Sequence, residues 1–86
     1  MRPSAIIQRK VASGELPTDK PVEEWGGFGN GRPCNGCGLS ILPQEPEREL
    51  DMPDGRILRF HLACESAWRI AVAHAEAHIA ERPAGE

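Results

Sequence analysis

The feature that most constrains this chain is a pair of short motifs with the same spacing of metal-binding residues. Cys34 and Cys37 form a C-x-x-C motif in "PCNGCG", and His61 and Cys64 form an H-x-x-C motif in "FHLAC". Zinc takes thiolate and imidazole ligands in a tetrahedron, and three cysteines with one histidine form a standard structural site. The two motifs therefore predict one structural zinc ion held by these four side chains.

A close pair of cysteines can also form a disulfide or a redox couple. A disulfide between Cys34 and Cys37 would close a loop of about four residues and contribute about 2 kcal/mol, whereas structural zinc contributes about 10–16 kcal/mol in small domains. A chain of 86 residues buries only about 60% of its unfolded surface and benefits from such a staple. A redox couple needs a helix that starts at the pair, and no helical pattern follows Cys37. Zinc is favoured, with iron as an alternative metal for the same ligands.

The residues inside each motif suit a ligand role. In "CNGCG" the chain has to turn tightly, and Asn35, Gly36 and Gly38 are residue types that tolerate a positive φ. Backbone N–H groups freed by this turn are expected to point at the sulfurs. In "HLAC" the start of a helix aims both ligands, and its positive dipole end lies beside the anionic thiolates.

Charge and composition restrict the function. Ten basic and thirteen acidic side chains give a formal charge of −3, the opposite of the balance expected for a nucleic-acid-binding protein. The glycines of residues 14–32 do not follow the phosphate-binding pattern G-x-G-x-x-G, and no G-K-[ST] follows them. The sequence has neither a signal-peptide core nor a membrane-spanning apolar run, so we expect a cytoplasmic protein without a membrane contact.

The residues before the first motif predict a short helix and an irregular arm. Residues 4–13 have Ser4 as a candidate cap, Ile7 and Val11 on one face, and Gly14 as a stop. Residues 14–32 are rich in glycine and proline and show no periodicity, so we expect an irregular arm. Trp25 and Phe28 in this arm are expected to pack against the domain.

The residues after the first motif predict a β-hairpin and a long helix. "ERELDM" (47–52) and "RILRF" (56–60) are strand-like and flank the turn signal "PDG". Residues 61–82 contain no glycine or proline and favour a helix. Its core-facing stripe comprises Cys64, Ala67, Trp68, Ala71, Ala75 and Ile79, and its wet face comprises Glu65, Arg69 and Glu76. Leu62 and Ile70 lie off the stripe, and we expect the first helix to cover them. The alternative is that a second copy of the chain covers them.

This order of elements resembles the treble-clef zinc finger, in which a C-x-x-C-G knuckle and a β-hairpin precede a helix that carries the second ligand pair. Residues 33–82 are similar to the first zinc-binding half of LIM domains, to the zinc fingers of poly(ADP-ribose) polymerases, and to small bacterial proteins of unassigned function with "RFHLAC..AW". The resemblance implies that Cys34, Cys37, His61 and Cys64 are the ligands. LIM domains have a second cysteine-rich half that is missing here, and the polymerase fingers have a basic DNA-binding surface, so the fold is implied more strongly than the activity.

The sequence therefore predicts a small α+β, metal-stabilised treble-clef domain over residues 33–82. Residues 1–32 form a helix and an arm that pack on it, and residues 83–86 form a flexible tail. We expect one structural Zn²⁺, an unidentified protein partner, and an interaction or regulatory role for a monomer or weak homodimer. The alternative is nucleic-acid binding through Arg32, Arg48, Arg56, Arg59 and Arg69.

Two further possibilities involve histidine and catalysis. His74 and His78 lie four residues apart on the predicted helix and would form a second metal site, although two histidines near a helix C-terminus also interact favourably with its dipole. A metal with four protein ligands leaves no open position for a substrate, and a histidine bound to zinc cannot activate Ser66 as a base. We therefore expect that the protein is not an enzyme.

Overall fold

Helix α1 covers Pro3–Ser13 in the computed structural model, which describes residues 3–80 of the chain. The helix begins one residue before the predicted cap, because a proline suits the first helical position. Ile7 and Val11 are buried, as predicted. Gly14 ends the helix with a φ of 85°, and its N–H donates to the carbonyl of Val11 at 3.2 Å.

Strand β1 (Glu23–Phe28) lies within residues 14–32, where the sequence predicted only an irregular arm. It pairs antiparallel with strand β2 (Pro46–Asp51), from Glu23 opposite Asp51 to Phe28 opposite Pro46. The prediction was wrong for these residues because "EEWGGF" has no alternation of apolar and polar side chains. Its strand conformation comes from pairing with a neighbour, which a single stretch of sequence does not reveal.

The two aromatic side chains of β1 are also more open than expected. Trp25 is 51% exposed and Phe28 is 71% exposed. The Trp25 Nε1–H donates to Asp51 Oδ2 at 3.3 Å, so the indole is held against the sheet by its edge and keeps a face in solvent. The prediction that both rings pack against the domain was therefore wrong for Phe28, whereas Trp25 contacts the sheet with about half of its surface exposed.

The predicted β-hairpin is confirmed. Strand β2 pairs antiparallel with β3 (Ile57–His61), and the sheet order is β1-β2-β3. Between the strands, the N–H of Gly55 donates to the carbonyl of Met52 at 3.0 Å, and Gly55 has a φ of 92°, which glycine adopts readily. Asp54 accepts hydrogen bonds from the backbone N–H and the Nε of Arg56, and these bonds lower the pKa of Asp54.

Helix α2 covers Leu62–Ala80, so it begins one residue later than predicted and leaves His61 on the strand. Its core-facing stripe is confirmed in the described side chains. Cys64, Trp68 and Ala71 are buried, and Ala67 and Ala75 pack against the same core. The side chain of Ile79 and residues 81–82 of the predicted helix lie outside the described residues.

The core lies between α2, α1 and one face of the sheet. We define the inner face of the sheet as the side chains directed at α2, which include Glu24, Arg48, Leu50, Leu58 and Phe60. Phe60 and Trp68 stack with ring centroids 5.7 Å apart, a separation at which aromatic rings attract one another. The outer face carries the alternate residues Glu23, Trp25, Gly27, Glu47, Glu49, Asp51, Ile57, Arg59 and, at the end of β3, His61.

Helix α1 packs on α2 and contributes Ile7 and Val11 to the core, but it does not cover the two apolar side chains that lie off the stripe. Leu62 is 48% exposed and Ile70 is 67% exposed. The prediction that α1 covers them was wrong, because α1 packs on the core-facing side of α2 instead.

Candidate metal centre

The four predicted ligands come together in one cluster. One ligand atom from each of Cys34, Cys37, His61 and Cys64 lies within 4.8 Å of every other, and this is the only such group among the described residues. Zinc–sulfur and zinc–nitrogen bonds of about 2.0–2.3 Å place tetrahedral ligand atoms about 3.3–3.8 Å apart. The His61 Nδ1 is 3.5 Å from Cys37 Sγ and 3.9 Å from Cys64 Sγ, so the set needs little contraction to enclose an ion.

The first ligand pair lies on a tight loop that is closed at both ends. Pro33 and Ser40 form an antiparallel bridge, and the N–H of Cys34 donates to the carbonyl of Leu39 at 2.8 Å. The N–H of Gly38 donates to the carbonyl of Cys34 at 2.9 Å, and Gly38 has a φ of 86°. We refer to residues 33–40 as the knuckle.

Within the knuckle, the sequence interpretation was right for one residue and wrong for two. A positive φ occurs only at Gly38 among the three proposed positions, since Asn35 and Gly36 have ordinary backbone angles. Gly36 is needed for a different reason. A Cβ atom at Gly36 would lie 2.9 Å from Ile7 Cδ1 and 3.1 Å from Cys64 Cβ, distances that only a shift of these neighbours could relieve. The absence of a side chain at Gly36 allows α1 and α2 to approach the knuckle closely.

Asn35 joins the knuckle to strand β3. Its backbone N–H donates to the carbonyl of Arg59 at 2.7 Å, and its side-chain Oδ1 accepts the N–H of Arg59 at 2.7 Å. The Lys10 Nζ of α1 also donates to the carbonyl of Asn35 at 3.1 Å. These bonds fix the first ligand pair relative to His61, which lies two residues after Arg59. Sequence reasoning missed these three hydrogen bonds, and only the enrichment of asparagine in turns indicated a structural role.

His61 presents one ring nitrogen to the cluster and the other to the backbone. Its Nδ1 faces the sulfurs, whereas its Nε2 lies 3.3 Å from the carbonyl of Ser40 and 3.5 Å from Glu45 Oε1. Donation of the Nε2–H to Ser40 leaves Nδ1 as the unprotonated nitrogen that binds a metal. Histidine ligands in metal proteins commonly have such a partner, which fixes the tautomer and the ring orientation. Neither Ser40 nor Glu45 was predicted to contact His61.

The surroundings of Cys34 and Cys64 shift the pKa values of these two thiols in opposite directions. Burial acts to raise the pKa of Cys34, but hydrogen bonds from the backbone N–H groups of Cys37, His61 and Gly36 outweigh it and lower this pKa. The N–H of Gly36 lies 3.3 Å from Cys34 Sγ, as expected for a knuckle that stabilises a thiolate. Burial raises the pKa of Cys64 to about 12, and the charges of Cys34 and Cys37 add to this shift. A divalent cation held by these residues would supply positive charge that favours the thiolate forms of its sulfur ligands.

Of the other uses proposed for the cysteines, a disulfide is not formed: Cys34, Cys37 and Cys64 are all free thiols. The third cysteine lies with the other two rather than apart from them, and it comes from the first turn of α2. The arrangement of a closed set of soft sulfur ligands and one imidazole fits zinc by its ligand chemistry, and it also accepts iron.

Two of the five arginines proposed for nucleic-acid binding are part of an ion-pair network on the inner face. Arg48 lies 2.9 Å from Glu24 and 3.4 Å from Glu65, and Arg69 lies 2.7 Å from Glu24 and 2.8 Å from Glu65. The Glu65 side chain is only 12% exposed, so it is less open than expected for the wet face of the helix. The network joins β1, β2 and α2.

The remaining arginines do not form a shared basic surface with these two. Arg56 pairs with Asp54 at 2.8 Å in the hairpin turn, and Arg59 pairs with Glu49 at 3.5 Å on the outer face. Arg32 lies near the knuckle, where its carbonyl accepts the N–H of Ile41. Four of the five proposed arginines are therefore neutralised by carboxylates of the protein itself.

His74 is one of the two histidines considered above for an alternative second metal site. No other cysteine, aspartate, glutamate or histidine joins it in a metal-binding group within the part of the chain that the structure describes. His74 lines an open groove of about 570 Å³ between α1 and α2, together with Val11 and Ala75. The side chain of His78 lies outside the described residues.

Comparison with protein-family models, with curated proteins and with solved structures found no match to this chain. Within residues 3–80, no helix has the length and the apolar character needed to cross a membrane.

Proposed function

We propose that this chain is a treble-clef zinc protein in which one structural Zn²⁺ joins the knuckle, the β2–β3 hairpin and α2. The observation that carries the proposal is the convergence of Cys34, Cys37, His61 and Cys64 to within 4.8 Å. Each pair comes from a different part of the fold, so that one ion would link the loop to the strand end and to the first turn of the helix. The order of knuckle, hairpin and helix supports the treble-clef assignment.

A structural role is favoured over a catalytic one by the ligand count. Four protein side chains complete the tetrahedral coordination of zinc and leave no position for water or substrate. Zinc would contribute about 10–16 kcal/mol to the folding of a small domain, which is comparable with the whole stability of an ordinary domain. We infer that the protein is not an enzyme and that its metal holds the fold together.

We further propose that the protein acts by binding another protein. Surface charge supports this choice, because Arg48, Arg56, Arg59 and Arg69 already pair with carboxylates and are poorly placed to bind phosphates. Large apolar side chains also stay exposed, among them Phe28 at 71% and Ile70 at 67%, and a protein partner would cover such surface.

The zinc proposal is tested by the metal content of purified protein and of matched variants. Wild-type protein should contain one zinc per chain by mass spectrometry of the native protein and by elemental analysis. His61→Ala and Cys64→Ser should lose the ion. Two control variants leave the four ligands unchanged: His74→Ala removes another histidine, and Ser66→Ala changes another residue of α2. Both should retain the ion. A folded, metal-free wild-type protein under reducing conditions would refute the proposal.

The nucleic-acid alternative is tested by retention of duplex and nicked DNA or of RNA in a mobility-shift experiment at about 50 mM salt, where contacts to phosphates are strong. We expect no retention. Salt-sensitive retention that Arg32→Ala weakens would favour the alternative.

A further inference from the structure

The free edge of the sheet lies at β1. The sheet order β1-β2-β3 places β2 on one side of β1, and no described strand lies on the other. All six residues of β1 are exposed. An open edge of this kind presents unpaired backbone N–H and C=O groups that another extended segment can use.

The register identifies which backbone groups point outward. The N–H of Gly29 donates to the carbonyl of Glu45, which continues the β1–β2 pairing by one residue. In an antiparallel pair, residues alternate between hydrogen-bonded and non-hydrogen-bonded positions. The odd-numbered residues of β1 therefore bond to β2, and the N–H and C=O groups of Glu24, Gly26 and Phe28 point to the open edge.

The outer face beside this edge is acidic. Glu23 on β1 and Glu47, Glu49 and Asp51 on β2 all belong to it. Arg59 is the one arginine or lysine among the strand residues of this face, and it pairs with Glu49 at 3.5 Å. Glu47 Oε1 is buried and has no hydrogen-bond partner among the described atoms. The face therefore has an excess of negative charge beyond what its own residues neutralise.

Trp25 lies in the middle of this acidic face. Its position opposite Glu49 and its hydrogen bond to Asp51 Oδ2 surround the indole with carboxylates. Half of its surface is open to solvent. An exposed indole face attracts lysine and arginine cations, and nearby carboxylates strengthen the attraction.

We propose that the open edge of β1 binds an extended, lysine- or arginine-containing segment of a partner protein, which adds to the sheet as a fourth strand. This inference rests on the proposed function as a protein-binding domain and names its partner class. Backbone bonds to Glu24, Gly26 and Phe28 hold the segment in place, as in other complexes in which a peptide extends a sheet. Alternate side chains of the segment then lie on the outer face, where their positive charges meet Trp25 and Glu23.

The two faces of the sheet define the pattern of the bound segment. Because strand side chains alternate between faces, basic residues are expected at every second position, beside Glu23 and Trp25. The residues between them lie on the inner face beside Gly26 and Phe28, where the exposed phenyl ring favours an apolar neighbour. The expected partner sequence is therefore a short alternation of basic and apolar residues.

Charge distinguishes this occupant from two others. A second copy of the chain would bring the same outer face and the same net charge of −3 to the shared edge, and like charges oppose such pairing. A nucleic acid would meet the carboxylates with its own phosphates. A basic peptide is the occupant whose charge complements the surface.

The test uses full-length zinc-loaded protein and a nine-residue peptide in which lysine alternates with valine. Fluorescence anisotropy of the labelled peptide should show binding that weakens as salt is raised, and a peptide with glutamate in place of lysine should not bind. Hydrogen exchange of the Gly26 amide should slow when the lysine peptide is present. Tryptophan fluorescence is a second measurement of peptide binding. Because Trp68 is buried, a change in emission on addition of the peptide can be assigned to Trp25.

Gly26→Pro is the decisive variant. It removes an N–H that points outward, so it leaves the β1–β2 hydrogen bonds in place and does not change the charge. The variant loses the hydrogen bond from the Gly26 N–H to the peptide, and the proline ring obstructs the edge. Together these changes should weaken peptide binding about tenfold or more. Glu23→Lys should weaken binding about fivefold at low salt. Glu76→Lys makes the same charge change on the exposed side of α2 and should leave binding nearly unchanged.

Three results would overturn the inference. One is a zinc-loaded wild-type protein that does not bind the lysine peptide at low salt. Another is equal binding by wild type and Gly26→Pro, which would mean that only general charge attraction is at work. A third is a dimer, seen by light scattering, that Gly26→Pro abolishes, since a second copy would then occupy the edge. Zinc content measured on the same samples separates these results from failure of the zinc proposal, which would appear as protein without metal.

Discussion

The two tryptophans of this chain lie on opposite faces of the same sheet and in opposite environments. Trp68 is 2% exposed, stacks on Phe60 of the inner face, and donates its Nε1–H to the carbonyl of Pro17 at 2.9 Å. Trp25 on the outer face is 51% exposed and donates to a surface carboxylate. The comparison indicates that the inner face of the sheet packs the core, whereas the outer face leaves an aromatic ring open to solvent, as the proposed contact with a partner requires.

Of the changes considered, metal removal should have the largest effect on the stability of the core around Trp68. Chelation of zinc under reducing conditions should remove about 10–16 kcal/mol of stabilisation and unfold the domain. Near-ultraviolet circular dichroism should lose the signal of the packed Trp68, and re-addition of zinc should restore it. Retention of that signal at full strength after complete removal of zinc would show that the inner core does not need the metal.

Truncation of each tryptophan tests the comparison directly. Trp68→Ala removes a fully buried ring and should cost about 3–5 kcal/mol in the free energy of unfolding. Trp25→Ala removes a half-exposed ring and should cost no more than about 0.5 kcal/mol. Chemical denaturation of both variants in the presence of zinc measures the difference. Equal losses would contradict the division into a building face and a contact face.

Two glycine-to-alanine substitutions compare the room for a side chain in the core with that on the outer face. Gly36→Ala places a Cβ against Ile7 and Cys64 and should cost about 1–3 kcal/mol. Gly27→Ala is the matched control, because a Cβ at Gly27 meets nothing within 4 Å, and its effect should stay within about 0.5 kcal/mol. Thermal unfolding midpoints of the two zinc-loaded variants provide the measurement. A Gly36→Ala protein as stable as the Gly27→Ala protein would show that α1 and α2 can move away from the knuckle at little cost.

The smallest effect is expected at the ion-pair network on the inner face. Glu65→Gln keeps the shape of a side chain that is 12% exposed but removes the charge that Arg48 and Arg69 share. The loss should be about 1 kcal/mol, since Glu24 still neutralises part of the arginine charge. Glu76→Gln, on the exposed side of the same helix, should be neutral in the same urea denaturation experiment. Identical midpoints for both variants would mean that the network is only a surface feature.

Sequence reasoning predicted those parts of the fold whose cause is local. The hairpin has its own turn residues in Pro53, Asp54 and Gly55, and α2 has an uninterrupted apolar stripe. The spacing of Cys34, Cys37, His61 and Cys64 identified a cluster that the structure brings together. Each of these patterns is complete within a short stretch or is defined by rare residue types.

What sequence reasoning missed depends on contacts between distant residues. Strand β1 has two glycines and no alternation, and it becomes a strand only because β2 lies beside it. Gly36 is small because Ile7 and Cys64 leave no room, and neither residue is near it in sequence. The Ser40 carbonyl that orients His61 comes from the backbone, which every residue has, so no residue type could reveal it.

The bond between Asn35 and Arg59 has a consequence for assembly. Asn35 occupies both the N–H and the carbonyl of Arg59, the middle residue of β3, and so it blocks the edge of the sheet opposite to β1. A sheet with two open edges can polymerise by adding copies on either side. With the β3 edge blocked by the knuckle, copies of this chain can join only through β1, which limits such growth to a pair rather than a fibre.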